Sequence, residues 1–115
     1  MKEISNVINY KDKEYKLVFN LNVMEEIQNE YETFDKWGKL TNGIKGEPNV
    51  KALIFGFTAM LNEGIAIDNE ENGTDIKPFT TRQVGRIITD VGLNTMTEKL
   101  QETVVESTKS TEKNA

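Results

Sequence analysis

The chain has 115 residues, enough for one domain that folds without covalent or metal staples, and it contains no cysteine and no histidine. Disulfides, Cys/His zinc sites, histidine general bases and Ser-His or Cys-His nucleophile pairs are thereby excluded. With 19 Asp and Glu against 14 Lys and Arg, the net charge of −5 opposes nucleic acid as the main partner, because phosphate contacts need local positive charge.

Residues 4–21 read as a β-hairpin. Tyr15, Leu17, Phe19 and Leu21 alternate with Lys16, Val18 and Asn20, the period of two that marks a half-buried strand. Val7, Ile8 and Tyr10 form its partner, and Lys11-Asp12-Lys13-Glu14 is the charged turn between them. Asn22 is expected to cap a first helix, with Glu25 at the third helical position as in a capping box and Val23, Ile27, Tyr31 and Phe34 on one face. A short helix from Thr33 to Leu40 follows and holds Trp37. Asn42-Gly43 and Gly46-Glu47-Pro48 then break the chain.

Asn49 caps the next helix, which is expected to end at Asn62 or Glu63 with Gly64 just beyond it. Residues 65–79 read as a polar loop. Thr80 or Thr81 caps a helix whose Val84, Ile87, Ile88 and Val91 fall at i, i+3, i+4 and i+7, and Gly92 ends it. Asn94 caps the last helix, with Met96, Leu100 and Val104 inward. The sum is an α+β fold, a single globular domain over residues 1–106 (hairpin 4–21, helical 22–106), with the hairpin packed on about four short helices. Residues 107–115 carry no large apolar side chain and read as a disordered polar tail.

The first residues, Met1-Lys2-Glu3-Ile4-Ser5-Asn6, have no long apolar run behind them, which predicts no signal peptide. The most apolar stretch, Val50 to Leu61, is too short and interrupted to span a bilayer. These features predict a soluble cytoplasmic protein with no membrane partner.

Two chemical motifs fail on inspection. Asp68, Glu70, Asn72 and Gly73 stand at the first, third, fifth and sixth places of an EF-hand-like loop, but the twelfth is Phe79, where a bidentate glutamate is needed. The two helices joined at Val91-Gly92-Leu93-Asn94 have the outline of a helix-turn-helix. Residues 80–106 nevertheless hold Arg82, Arg86 and Lys99 against Asp90, Glu98, Glu102 and Glu106, the wrong balance for a reading helix. Adjacent carboxylates such as Glu25-Glu26 and Glu70-Glu71 point apart on a helix and suggest no tuned acid or base. The expectation is a non-enzymatic protein with no metal, no cofactor and no catalytic residue.

The informative element is the helix from Val50 to Leu61. Val50, Leu53, Ile54, Phe57 and Leu61 make a core stripe. Ala52, Phe55 and Ala59 make a second stripe on nearly the opposite side. A helix apolar on both sides is either buried at the centre of the domain or covered by a partner. Ala52, Phe55 and Ala59, together with Trp37, are therefore the candidate partner-binding residues. Gly56 inside the helix costs about 1 kcal/mol relative to alanine, and close approach of a neighbouring element would account for it.

The run Tyr15-Lys-Leu-Val-Phe-Asn-Leu-Asn-Val-Met-Glu-Glu-Ile-Gln-Asn-Glu-Tyr31, the apolar helix Val50-Lys-Ala-Leu-Ile-Phe-Gly-Phe-Thr-Ala-Met-Leu-Asn-Glu-Gly64, and Thr81-Arg-Gln-Val-Gly-Arg-Ile-Ile-Thr-Asp-Val-Gly-Leu93 occur in that order behind the hairpin. In element order and apolar placement this resembles the tail assembly chaperones of long-tailed bacteriophages and prophages, and the related small proteins of gene transfer agents, over roughly residues 4–106. The resemblance contains no chemical motif and supplies no catalytic residue. It implies a helper protein of the host bacterial cytoplasm, absent from the mature virion, which coats the tape measure protein while tail tube protein polymerises round it. Self-association into a homo-oligomer would add avidity along an extended client. A small acidic DNA-binding or regulatory protein of a mobile element, and a structural tail subunit, are the alternative readings.

Overall fold

The computed structural model describes residues 4–42 and 47–113. Among them a two-stranded antiparallel hairpin, β1 (Ile4–Tyr10) and β2 (Lys13–Phe19), is followed by five helices: α1 (Leu21–Tyr31), α2 (Phe34–Asn42), α3 (Val50–Asn72), α4 (Thr81–Val91) and α5 (Leu93–Lys113). The α+β architecture follows the pattern of the sequence, with several boundaries moved for identifiable reasons. The predicted break at Gly43 and Gly46 lies outside the described residues, as do Met1, Lys2 and Glu3.

The hairpin turn is tighter than its charge pattern suggests. Lys13 and Glu14 belong to β2, paired with Tyr10 and Asn9, which leaves Lys11 and Asp12 alone in the turn. Both have positive φ, 50° and 62°. That is the mirror-image turn whose twist matches a right-handed hairpin. Ile8, Leu17 and Phe19 are buried on one face, as alternation requires, but Val18 on the other face is buried too. The hairpin is thus more than half-buried, because α3 packs against β2 and α5 against both strands. Leu21, expected to continue the strand's inner face, is instead the first residue of α1 and is 68% exposed.

The cap of α1 is Asn20 rather than Asn22. The Asn20 side chain accepts from the Val23 N–H at 3.2 Å, which places Glu25 beyond the capping-box position. Asn22 has another partner: its amide, like that of Asn20, donates to the Glu63 carboxylate of α3, at 3.0 and 2.7 Å. Partial burial first, then the Glu63 and Glu25 charges, push the neighbouring Glu26 carboxyl above its ordinary value of 4.5. A carboxyl with a raised folded-state pKa binds its proton more tightly when folded, so its contribution to stability falls as pH climbs from about 4.5 through the raised value. Glu26→Gln is therefore expected to raise the melting temperature at pH 7 and to gain less at pH 4. Thermal melts at the two pH values check it, and an equal gain at both would remove Glu26 from the titration.

α1 ends at Glu32, whose φ of 70° turns the chain, and the Thr33 hydroxyl accepts from the Lys36 N–H to start α2. Phe34 therefore lies on α2 and not on the face of α1. Phe19, Phe34 and Trp37 form an aromatic row, with ring centroids 5.7 and 5.5 Å apart. Inside the core, the Trp37 Nε1–H donates to the Ala52 carbonyl at 2.9 Å.

α3 begins at the expected cap, where the Asn49 side chain accepts from the Ala52 N–H. It then runs through Gly64 to Asn72 and stops at Gly73, in the left-handed conformation. The predicted end at Asn62 or Glu63 and the predicted loop over 65–79 are therefore corrected. Gly64 is not a terminator: β2 crosses so closely that a Cβ there would lie 2.7 Å from the Lys16 carbonyl oxygen. Ile65, the next residue, is buried.

The connection after Gly73 lies back along α3, fastened by two asparagines seven residues apart. The Asn62 side chain both donates to the Phe79 carbonyl and accepts from the Phe79 N–H, at 3.0 and 2.7 Å. Asn69 does the same with Ile76, at 2.9 and 3.0 Å. Phe79 packs edge-on to Tyr15 of β2. α4 carries a complete capping box between Thr80 and Gln83, buries Val84, Ile87 and Ile88, and ends at Gly92 as expected. α5 follows at once from Leu93, with the Met96 N–H bonded to the Gly92 carbonyl, so Asn94 is inside the helix and not its cap. Met96, Leu100 and Thr103 are buried. The helical backbone continues to Lys113, where a disordered tail was expected from residue 107. Residues 105–113 contain no glycine or proline to stop it.

With 23 residues, α3 is long and apolar enough to cross a membrane. This revises the shorter span read from the sequence. Its apolar surface is, however, in contact with β2, α1, α2 and α4, and it buries Ala52, Phe57, Met60 and Leu61 among them. It is the central helix of the domain.

Candidate functional site

The central position of α3 decides the fate of its second apolar stripe. Ala52 is fully buried, Ala59 is 7% exposed, and Trp37 is 1% exposed with its indole N–H bonded. Phe55 is half-buried and packs edge-on to Tyr31 of α1, with ring centroids 5.5 Å apart. The expectation that Ala52, Phe55, Ala59 and Trp37 form a partner surface is thus corrected. α1 and α2 cover that side, and central burial is the reason the helix is apolar all round. Gly56 fits the same arrangement, since a Cβ at that position would meet the Trp37 ring.

A partly exposed apolar surface lies at the other side of the same helix. One side of the first turns of α3 is incompletely covered, leaving Val50 57% exposed and Ile54 half-buried. α4 runs beside them. Together with Tyr10 at the end of β1 and Leu93 at the start of α5, they bound an open groove of about 1040 Å³. Leu53 and Ile88 form part of its apolar lining, and Leu93 is 42% exposed at its edge. From α4 the groove takes Arg82, Gly85, Arg86, Thr89 and Asp90, the i, i+3, i+4 spacing of one helical face.

Sequence reasoning placed Val50 and Ile54 in the core stripe and so passed over this site. Both do lie on the same helical face as Leu53 and Phe57. What the pattern could not reveal is that Val50, on a turn whose Ala52 and Leu53 are fully buried, stays 57% exposed. The signal that was available is the contrast on α4, where two arginines flank a glycine in an acidic chain.

The acidic segment offers no comparable site. Asp68 to Asn72 are the last residues of α3, and Asp68 pairs with Lys16 at 2.9 Å. Among the described residues no group of three or more His, Cys, Asp or Glu side chains could hold a metal ion. A smaller hollow on α5 is lined by Glu98, Gln101, Glu102 and Val105. It presents carboxylates on the helix that a helix-turn-helix would use for reading.

Comparison with family models, with curated proteins and with solved structures finds no match for this chain. The class it defines is therefore structural: an α+β protein in which β2, α1, α2 and α4 pack on a central apolar helix, α5 packs on the hairpin and α4, and one side of the start of the central helix borders an open groove.

Proposed function

We propose that this chain is a phage or prophage tail assembly chaperone, a non-enzymatic protein of the host cytoplasm that holds helical stretches of the tape measure protein during tail tube assembly. The observation that carries the reading is the groove between α3 and α4. Its apolar lining and open shape suit the side of a client helix, the recognition mode in which an amphipathic helix lays its apolar face in a hydrophobic channel. The resemblance in element order points to the same class, and the hairpin-first α+β arrangement agrees with it. A chaperone also needs to stay dispersed while its client is apolar, and a net charge of −5 serves that end.

The test is co-expression with the tape measure protein of the same tail gene cluster. The soluble, full-length client should increase in the presence of this chain and co-purify with it. Val50→Glu, at an exposed position on the groove edge, should abolish that gain without unfolding the chain. A client whose solubility is indifferent to the chain would overturn the proposal, as would recovery of the chain as a stoichiometric part of finished particles.

A further inference from the structure

We propose that the groove selects an amphipathic helix with carboxylates beside its apolar ridge and a basic residue about two turns further on. This inference rests on the groove being the client site. It adds the chemistry of the client segment, and four observations on α4 support it.

The first is charge. In a chain of net charge −5, the groove rim carries two arginines, Arg82 and Arg86, one turn apart on the same helical face. Both are exposed, and neither forms an ion pair or side-chain hydrogen bond with another described residue. The ion pairs Lys16–Asp68, Lys36–Glu32 and Lys39–Asp35 use other cations. The guanidinium groups are thus available to a carboxylate, for which their fork geometry is suited.

The second is placement. Arg82 lies in the first turn of α4, which contains no acidic residue. A cation there opposes the positive end of the helix dipole, so its own helix does not account for it. A ligand carboxylate would reverse the sign of that interaction.

The third is Gly85, between the two arginines on the groove wall. A Cβ at this position would meet only the Ile54 Cδ1 atom at 3.7 Å, an ordinary contact. Unlike Gly56 and Gly64, it is not required by a close neighbour, and unlike Gly73 and Gly92 it has no positive φ. A glycine in a helix interior weakens the helix relative to alanine. What it provides here is depth, since it lets the backbone of an incoming helix approach Ile54 closely.

Asp90 gives the groove a direction. It lies eight residues after Arg82, about 12 Å along the axis. A helix lying alongside α4 meets positive charge at one end of its apolar contact and negative charge at the other.

The experiment uses the full chain and two synthetic helical peptides with one apolar ridge between them. The acidic peptide has glutamates beside the ridge and a lysine eight residues on, and its twin has these charges exchanged. Fluorescence anisotropy of labelled peptide is read at low and high salt. The acidic peptide should bind roughly tenfold more tightly than its twin, with the ratio shrinking as salt screens the contacts. Arg82→Glu with Arg86→Glu, both at exposed positions, should invert the preference. Gly85→Leu should weaken both peptides by filling the space that the glycine leaves on the groove wall. Circular dichroism verifies that each variant is folded. Equal binding of the two peptides, or a preference unmoved by the double arginine variant, would overturn the charge selection. Failure of both to bind at about 1 mM would remove the groove as a helix site. The co-expression assay separates this from the functional proposal. If the arginine variant still solubilises the tape measure protein, the selection fails and the chaperone reading stands. If wild type shows peptide selectivity but never solubilises the client, the selection stands without the chaperone.

Discussion

Trp37→Ala is expected to destabilise the chain by about 3–5 kcal/mol, the cost of deleting a large buried aromatic side chain whose cavity cannot collapse. The indole is 1% exposed, lies 5.5 Å from the Phe34 ring, and occupies the space that Gly56 leaves vacant on α3. Its removal also takes away the 2.9 Å hydrogen bond to the Ala52 carbonyl. Trp37→Phe keeps part of the volume and loses only that bond and the second ring, so its cost should be clearly smaller. Urea unfolding followed by far-ultraviolet circular dichroism measures both, with the midpoint falling and the slope unchanged. A loss under about 1 kcal/mol for the alanine variant would place the ring outside the core and restore it as a partner-facing side chain.

The Trp37 result bears on what a sequence can disclose about an apolar helix. The double stripe of α3 was legible, and so were its Asn49 cap, the hairpin and the four-position pattern of α4. Each depends on residues close together in the chain. Whether the second stripe faced solvent or another helix depends on α1 and α2 folding back over it, which local pattern does not encode. The same limit explains the misplaced end of α3. Gly64 has the identity of a helix terminator, and only the Lys16 carbonyl 48 positions earlier accounts for its presence mid-helix. The groove escaped for the converse reason. Val50 and Ile54 satisfy the core periodicity of their own helix, yet Val50 is left exposed and Ile54 only partly covered, while Ala52 and Leu53 beside them are fully buried.

The glycines turn this distinction into an expected result, since one substitution should have opposite signs at two helical sites. Gly64→Ala places a methyl group 2.7 Å from the Lys16 carbonyl oxygen and 3.2 Å from its Cβ. The obstacle is backbone, and Lys16 is held in register opposite Val7 in the hairpin, so the strand or the helix must shift. Such overpacking costs about 1–3 kcal/mol, against a gain of about 1 kcal/mol from better helix propensity. The net expectation is a loss of up to about 2 kcal/mol, or of order 10 °C in melting temperature for a domain of this size. Gly85→Ala meets only the mobile tip of Ile54 at 3.7 Å, so the propensity gain is unopposed and the melting temperature should rise by about 4–8 °C. Thermal melts of the two variants beside wild type decide the matter. If Gly64→Ala also stabilises, α3 and β2 are not in close contact there. If Gly85→Ala destabilises, the glycine is serving the fold, and its place on the groove wall no longer points to a ligand.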